Sequence, residues 1–381
     1  MEKVNFATVI LLLVMTGCGE NKKAADDLIT VDVTNSYPKK ELILQDFMDV
    51  EYVLPETGSE FYTEGVVQAV GKDIIIAKNE RVRDGDLFVF DRNGKGLRKI
   101  NHKGSGPGEY ADMDKIILDD DKNEIYVVDI TKLKLLVYDY YGTFKRTVDL
   151  KSMYRTITVF DQENLIYEIL DLSNNPDLPA FSIISKQDGN VVHDIRIPYN
   201  EKRDPIVYRG RGGMMHKFPA LIPYNENFIL TYSSSDTVFN LLSDYSMIPL
   251  MVRTPSIQSM SLEVFLFPRM ITDSYYFMDA VKKTYDFELN EGFPKVDLMY
   301  DRRAKAIYEY KLYNDDYTGK KPIDLSKGET ISGEIAILFK IEAHELIESN
   351  EKGELKGKLK EIASKLDEDS NPVIMLVKQK K

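Results

Sequence analysis

Tryptophan is absent from this chain, and cysteine occurs once, at position 18. A lone cysteine excludes an intramolecular disulfide and any metal cage built from several thiolates. Histidine is scarce as well: His102, His193, His216 and His344 are the only four, and no pair has the HExxH spacing of a zinc hydrolase. Structural histidines satisfied by their neighbours are the expectation, with no metal site and no cofactor. Positive charge is outnumbered, with 50 Lys and Arg against 62 Asp and Glu, so the net charge is -12. That balance argues against a nucleic-acid partner, because a phosphate backbone calls for a basic footprint. The apolar run Phe6 to Met15 is too short to span a bilayer.

What is present begins with that run. Lys3, the apolar stretch and Thr16-Gly17-Cys18 follow the order of a cleaved export signal over residues 1–17. Val14-Met-Thr-Gly-Cys18 resembles a bacterial lipobox, with Met15 as a departure from the usual pattern. The resemblance implies that Cys18 is the lipidation site and that the protein is a lipoprotein of the cell envelope, held on the outer membrane by its lipid anchor. An ordinary secretory signal is the other reading. Residues 18–38 are polar and charged and read as a tether, leaving 39–381 as the folded domain. At 43% hydrophobic and 29% charged, the chain has enough apolar surface for a sizeable core.

Inside the domain one unit is stated twice. Leu87-Phe-Val-Phe-Asp-Arg-Asn-Gly94 and Leu135-Leu-Val-Tyr-Asp-Tyr-Tyr-Gly142 share an apolar run, an Asp and a Gly three residues later, 48 positions apart, and Asp188-Gly189 ends a looser third copy. Repeats of this length built from short strands and turns point to propeller blades. Several predicted strands are apolar at consecutive positions, as expected when both sheet faces are covered. The Asp-x-x-Gly groups are hairpin turns in which Gly takes positive φ and Asp bonds the nearby backbone. Further strands are predicted over 157–160, 164–169, 180–185 and 191–197, then 228–232, 237–242 and 247–252, then 275–277, 284–289, 296–301 and 306–312. Two helical patterns, 341–349 and one carried by Leu355, Leu359, Ile362 and Leu366, precede an apolar closing strand, Val373 to Val377. The count comes to an all-β, six-bladed β-propeller with a short helical insert near the C-terminus. Its ring should close by pairing a strand within Glu41 to Leu54 with Val373 to Val377, since an open apolar edge invites aggregation.

Gly104-Ser-Gly-Pro-Gly-Glu-Tyr110, together with Tyr138-Asp139 and Gly142, Asp236-Thr-Val-Phe239, Tyr300-Asp301 and Ser364 to Val373, resembles the six-bladed propeller lipoproteins abundant in Bacteroidetes, whose folds are similar to NHL-type propellers. The resemblance implies fold and envelope location; it implies no catalytic residues. The sialidase Asp-box and the YWTD repeat both use a Trp that this chain lacks.

Three stretches are candidates for chemistry. Gly104 to Tyr110 could offer backbone N–H groups to an anion, but no Lys-Ser/Thr follows, and an inter-blade connection with Tyr110 packed between blades is the simpler reading. Asp119 to Glu124 is rich in oxygen ligands yet lacks the Gly and terminal Glu of an EF-hand loop, so a solvated hairpin turn accounts for it. Tyr208-Arg-Gly-Arg-Gly-Gly-Met-Met-His216 is the most unusual: Tyr208, Arg209, Arg211 and His216 are ligand-binding candidates, two Arg clamping an acidic group beside a stacking Tyr. A surface loop whose charge offsets acidic neighbours is the alternative. These features favour a binding or scaffold module for a glycan, peptide or partner protein over its alternative, an envelope polysaccharide hydrolase or lyase working at the channel mouth.

Overall fold

The computed structural model describes residues 28–380, apart from 82, 172–174, 176, 332 and 333. Cys18 and the export signal expected over residues 1–17 lie outside the described residues.

Six antiparallel meanders surround an axis, and the 48-residue unit is one of them. The first blade runs Val66–Val70, Ile74–Lys78, Asp86–Asp91 and Gly96–Asn101 from the axis outward. The second repeats it with Met113–Asp119, Glu124–Asp129, Lys134–Asp139 and Phe144–Asp149, and the third with Tyr154–Val159, Asn164–Ile169, Phe181–Ser185 and Val191–Ile195. Second strands such as Ile74–Lys78 and Glu124–Asp129 are buried at every position because a neighbouring blade covers each face. Outermost strands such as Phe144–Asp149 are largely exposed, one face being solvated.

The glycines of the repeat sit in one structural role. Gly94, Gly142 and Gly189 have φ of 88°, 89° and 72°. Each presses on the end of the preceding blade's outermost strand, where an added Cβ would meet the Leu54 carbonyl at 2.0 Å, Ile100 at 3.0 Å and the Asp149 carbonyl at 2.3 Å respectively. Asp91 and Asp139 close their turns by accepting two backbone N–H groups each, from Asn93 and Lys95 and from Tyr141 and Thr143, at 2.8–2.9 Å.

The fourth blade comprises Leu221–Tyr224, Asn227–Leu230, Thr237–Leu241 and Met247–Thr254; the fifth comprises Val264–Ile271, Tyr275–Lys282, Lys295–Asp301 and Ala306–Asn314. Both inner strands, 221–224 and 264–271, lie outside the predicted set. The stretch predicted as a strand at 284–289 belongs instead to a small hairpin, Tyr285–Asp286 with Glu291–Gly292, inserted between the second and third strands of the fifth blade.

The sixth blade is composite. Its inner position is a single bridge between Glu329 and Leu338; Ile335–Ile341 and Val373–Gln379 follow, and Met48–Val53 completes it from the other end of the chain. The expected closure is therefore present, with Glu51 opposite Leu376. Helices α1 (Ala343–Glu351) and α2 (Gly357–Ala363) connect its two middle strands and bury Leu346, Leu359 and Ile362 against the fifth and sixth blades.

The tether read for 18–38 reaches too far. Ile29–Asp32 adds a fifth strand, parallel to Met247–Thr254, on the edge of the fourth blade, with Ile29 and Val31 buried. Lys39–Ile43 does the same on the fifth blade beside Ala306–Asn314. The N-terminal segment is a strap across three successive blades, tied down because its alternating apolar residues cover exposed sheet edges.

Candidate functional site at the channel mouth

A meander places its first-to-second and third-to-fourth turns on one face of the ring and its remaining connections on the other. On the face of the first-to-second turns lies a pocket of about 900 Å³, bordered by residues of five blades: Lys72, Phe160, Ile222, Ile271, Ile335 and Lys378 among them. Contributions from so many blades put it on the axis. Deeper in, the channel narrows to a space of about 50 Å³ among Gln68, Lys115, Thr156 and Ile331. The mouth is thus a funnel that narrows inward.

Its walls are apolar, with Val159, Phe160, Ile222, Pro223, Ile271 and Ile335. Phe160 is fixed by stacking on Phe228 at 5.7 Å. The rim is charged: Lys72 pairs with Asp121 at 3.2 Å, Lys378 bonds Glu51, and the Gln379 amide donates to the Ile271 carbonyl at 2.9 Å. Asn225 and Glu226 form the turn at its edge with φ of 48° and 56°. A Glu held in the left-handed region, where Gly is usual, costs of order 1 kcal/mol and marks a backbone kept in an unusual shape at a pocket rim.

The hairpin that carries the sequence candidates rises from the opposite face. Ile206–Arg209 pairs with Gly212–Met215 around Gly210. Tyr208 is 71% exposed at its tip, Arg211 is exposed beside it, and the Arg209 guanidinium sits 5.6 Å above the Phe287 ring. His216 does not join them. It is half-buried at the hairpin base, stacked on Phe267, and its Nε2 accepts from the Arg269 guanidinium at 2.7 Å. Burial, reinforced by Arg269, pushes the His216 imidazole down to about 4, so it is neutral. Tyr208 and Arg209 are neighbours in one strand and so face opposite sides of the hairpin, and His216 lies apart at its base.

The two other stretches singled out in the sequence are structural. Tyr110 is fully buried between the first and second blades, donates to the Gly85 carbonyl at 2.6 Å and accepts from the His102 N–H at 3.0 Å. Asp119 pairs with Lys186 at 2.5 Å and Glu124 with Arg146 at 2.7 Å. Among the described residues no group of three or more His, Cys, Asp and Glu is placed to hold a metal ion.

Sequence reasoning missed a set of buried and half-buried charges on the face opposite the funnel. Arg155 reaches Asp204 at 3.3 Å and lies 4.0 Å from Glu168; Ser233 donates to Asp204 at 3.0 Å. Burial raises the Glu168 carboxyl to about 8, with Arg155 opposing it. In the fifth blade Arg269 pairs with Asp279 at 2.6 Å and Lys295 with Asp324 at 2.7 Å. Most of these partners are far apart in the chain, so no local spacing announces the set.

The match to a family model spans residues 28–378 and coincides with this ring and its strap. The chain belongs to the family described as a domain of unknown function, DUF4934. Two solved structures share its fold. A Bacteroides fragilis protein described as exported is 16% identical with a TM-score of 0.61, covering 93% of this chain and 100% of its own. A DUF4221 member from Bacteroides vulgatus is 13% identical with a TM-score of 0.50, over 88% of this chain and 99% of its own. No curated protein matches the chain. This DUF4934 member is accordingly a propeller, with two Bacteroides proteins among its structural relatives.

Proposed function

We propose that this protein is a lipid-anchored cell-envelope propeller that binds a glycan, peptide or partner protein at the channel mouth. The observation that carries the reading is the apolar-walled funnel of about 900 Å³ with its charged rim, the build of a ligand site. The exported Bacteroides fragilis relative supports the envelope address, and the Thr16-Gly17-Cys18 sequence supports the anchor.

The test is a glycan-array and turnover screen on the mature protein and on Ala336→Trp, which would project a bulky ring into the funnel. Binders without product, lost in Ala336→Trp at unchanged melting temperature, are expected. Ligands that bind Ala336→Trp equally well would place the site elsewhere. For the anchor, Cys18→Ser expressed in its own host should be released from membranes or remain unprocessed; normal processing and lipid labelling of that variant would refute it.

A further inference from the structure

Four cationic side chains are buried among the described residues: Lys78, Lys186, Arg253 and Arg269. Three have a carboxylate within 4 Å, namely Asp119 for Lys186, Asp236 for Arg253 and Asp279 for Arg269. Lys78, 7% exposed, has backbone carbonyls instead: its Nζ donates to Met113 at 3.4 Å and to Asp114. Burial pushes the Lys78 amine down, and the charges of Glu80, Asp114 and Asp112 oppose that only from a distance, with no carboxylate in contact among the described residues.

This ammonium forms part of the wall of a pocket of about 330 Å³ between the first and second blades, on the face opposite the funnel. Two of the nearby carboxylates have other partners. Asp112 pairs with Arg83 at 3.0 Å, and Asp114 accepts from the Tyr154 hydroxyl. Glu80 is exposed at the rim. Lys103 also lines the space, and its ammonium donates to the Arg83 carbonyl, leaving further N–H groups unused. Lys78 and Lys103 come from separate segments, so the pocket brings together two ammonium groups whose protein partners are carbonyls.

We propose that this pocket binds a small carboxylate-bearing ligand of sugar-acid size, whose carboxylate supplies the direct ion pair that Lys78 lacks. The volume, at the low end for ligand sites, suits a single sugar ring. Lys78 and Lys103 receive the carboxylate, and ring hydroxyls donate to Asp112 and Glu80. The site is separate from the channel mouth and does not depend on that reading.

The experiment is calorimetry and thermal melting of the full mature protein with sodium glucuronate, with glucose, and with acetyl-alanine as a carboxylate without a sugar ring, at matched ionic strength. Saturable glucuronate binding is expected, at least tenfold tighter than glucose and tighter than acetyl-alanine. Lys78→Met should abolish it while keeping a cooperative melting transition, and Lys103→Ala should weaken it several-fold. Glucose binding as tightly as glucuronate, acetyl-alanine binding as tightly as glucuronate, no binding at all, or glucuronate affinity unchanged in both variants would each overturn the proposal. Ala336→Trp should leave glucuronate binding intact, which separates this site from the funnel.

Discussion

Gly142 shows how much one residue of the repeat decides. Its φ of 89° is open to Gly and strained for any side chain, and its position against Ile100 adds a packing limit. Gly142→Val should lose roughly 1 to 2 kcal/mol in a urea titration, from left-handed strain. Gly94→Val should lose more, because a Cβ there meets the Leu54 carbonyl at 2.0 Å and backbone cannot step aside as the Ile100 side chain can. Equal losses at the two sites would contradict the contact argument. Glu168 makes the opposite case, a residue whose importance nothing nearby in sequence announces. Its folded-state pKa is raised to about 8 from 4.5, so the native state holds its proton more tightly than the unfolded chain. The stability it contributes is complete below pH 4.5 and is lost as pH climbs toward 8. Glu168→Gln, which cannot ionise, should melt with a shallower decline between about pH 5 and 8 than the parent, and parallel curves would refute the assignment.

At the scale of the element, legibility follows local chemistry. The first three blades are readable because each carries an apolar second strand and a turn closed by Asp and Gly, both set by neighbours within a few residues. Val264–Ile271 escapes a sequence reading because Pro268 interrupts its pattern; the strand tolerates it at an irregularity in register between Pro268 and Met270. The alternation from Thr284 to Leu289 misleads because a short exposed hairpin and a blade strand share the same period of two. The strap misleads for a different reason. Polarity between residues 18 and 38 suggests a tether, yet two buried side chains, Ile29 and Val31, suffice to dock a four-residue edge strand. Burying each is worth roughly 1.5 to 3 kcal/mol. Removing residues 28–33 should therefore lower the melting temperature measurably while leaving the ring folded and monomeric, since the strand is an added fifth member of its sheet. Unchanged melting would show that the strap contributes nothing to stability.

For the whole molecule the decisive feature is that its two ends share a blade, and here the sequence is informative about the ring and silent about the site. An apolar closing strand and an early strand candidate are enough to anticipate the pairing, whereas the funnel gathers residues as far apart as Lys72 and Lys378, a convergence visible only once the ring is closed. Val373 to Val377 are all buried, and the strand they form is the middle member of a sheet between Ile335–Ile341 and Met48–Val53. Asn371 ties its entrance down further, accepting from the Thr63 N–H at 2.9 Å and donating to the Glu56 and Phe61 carbonyls at 2.8 Å. Deleting residues 371–381 would remove that strand from between its two neighbours, leave both with unpaired edges and detach the N-terminal strand from the ring. Five buried apolar side chains are lost at once, a larger loss than the two of the strap. The truncated protein should therefore aggregate or show no cooperative melting transition, whereas removal of residues 28–33 should only lower it. A monomer lacking 371–381 that melted like the parent would mean that the ring holds without its closing blade, and the six-bladed architecture would have to be closed by some other contact.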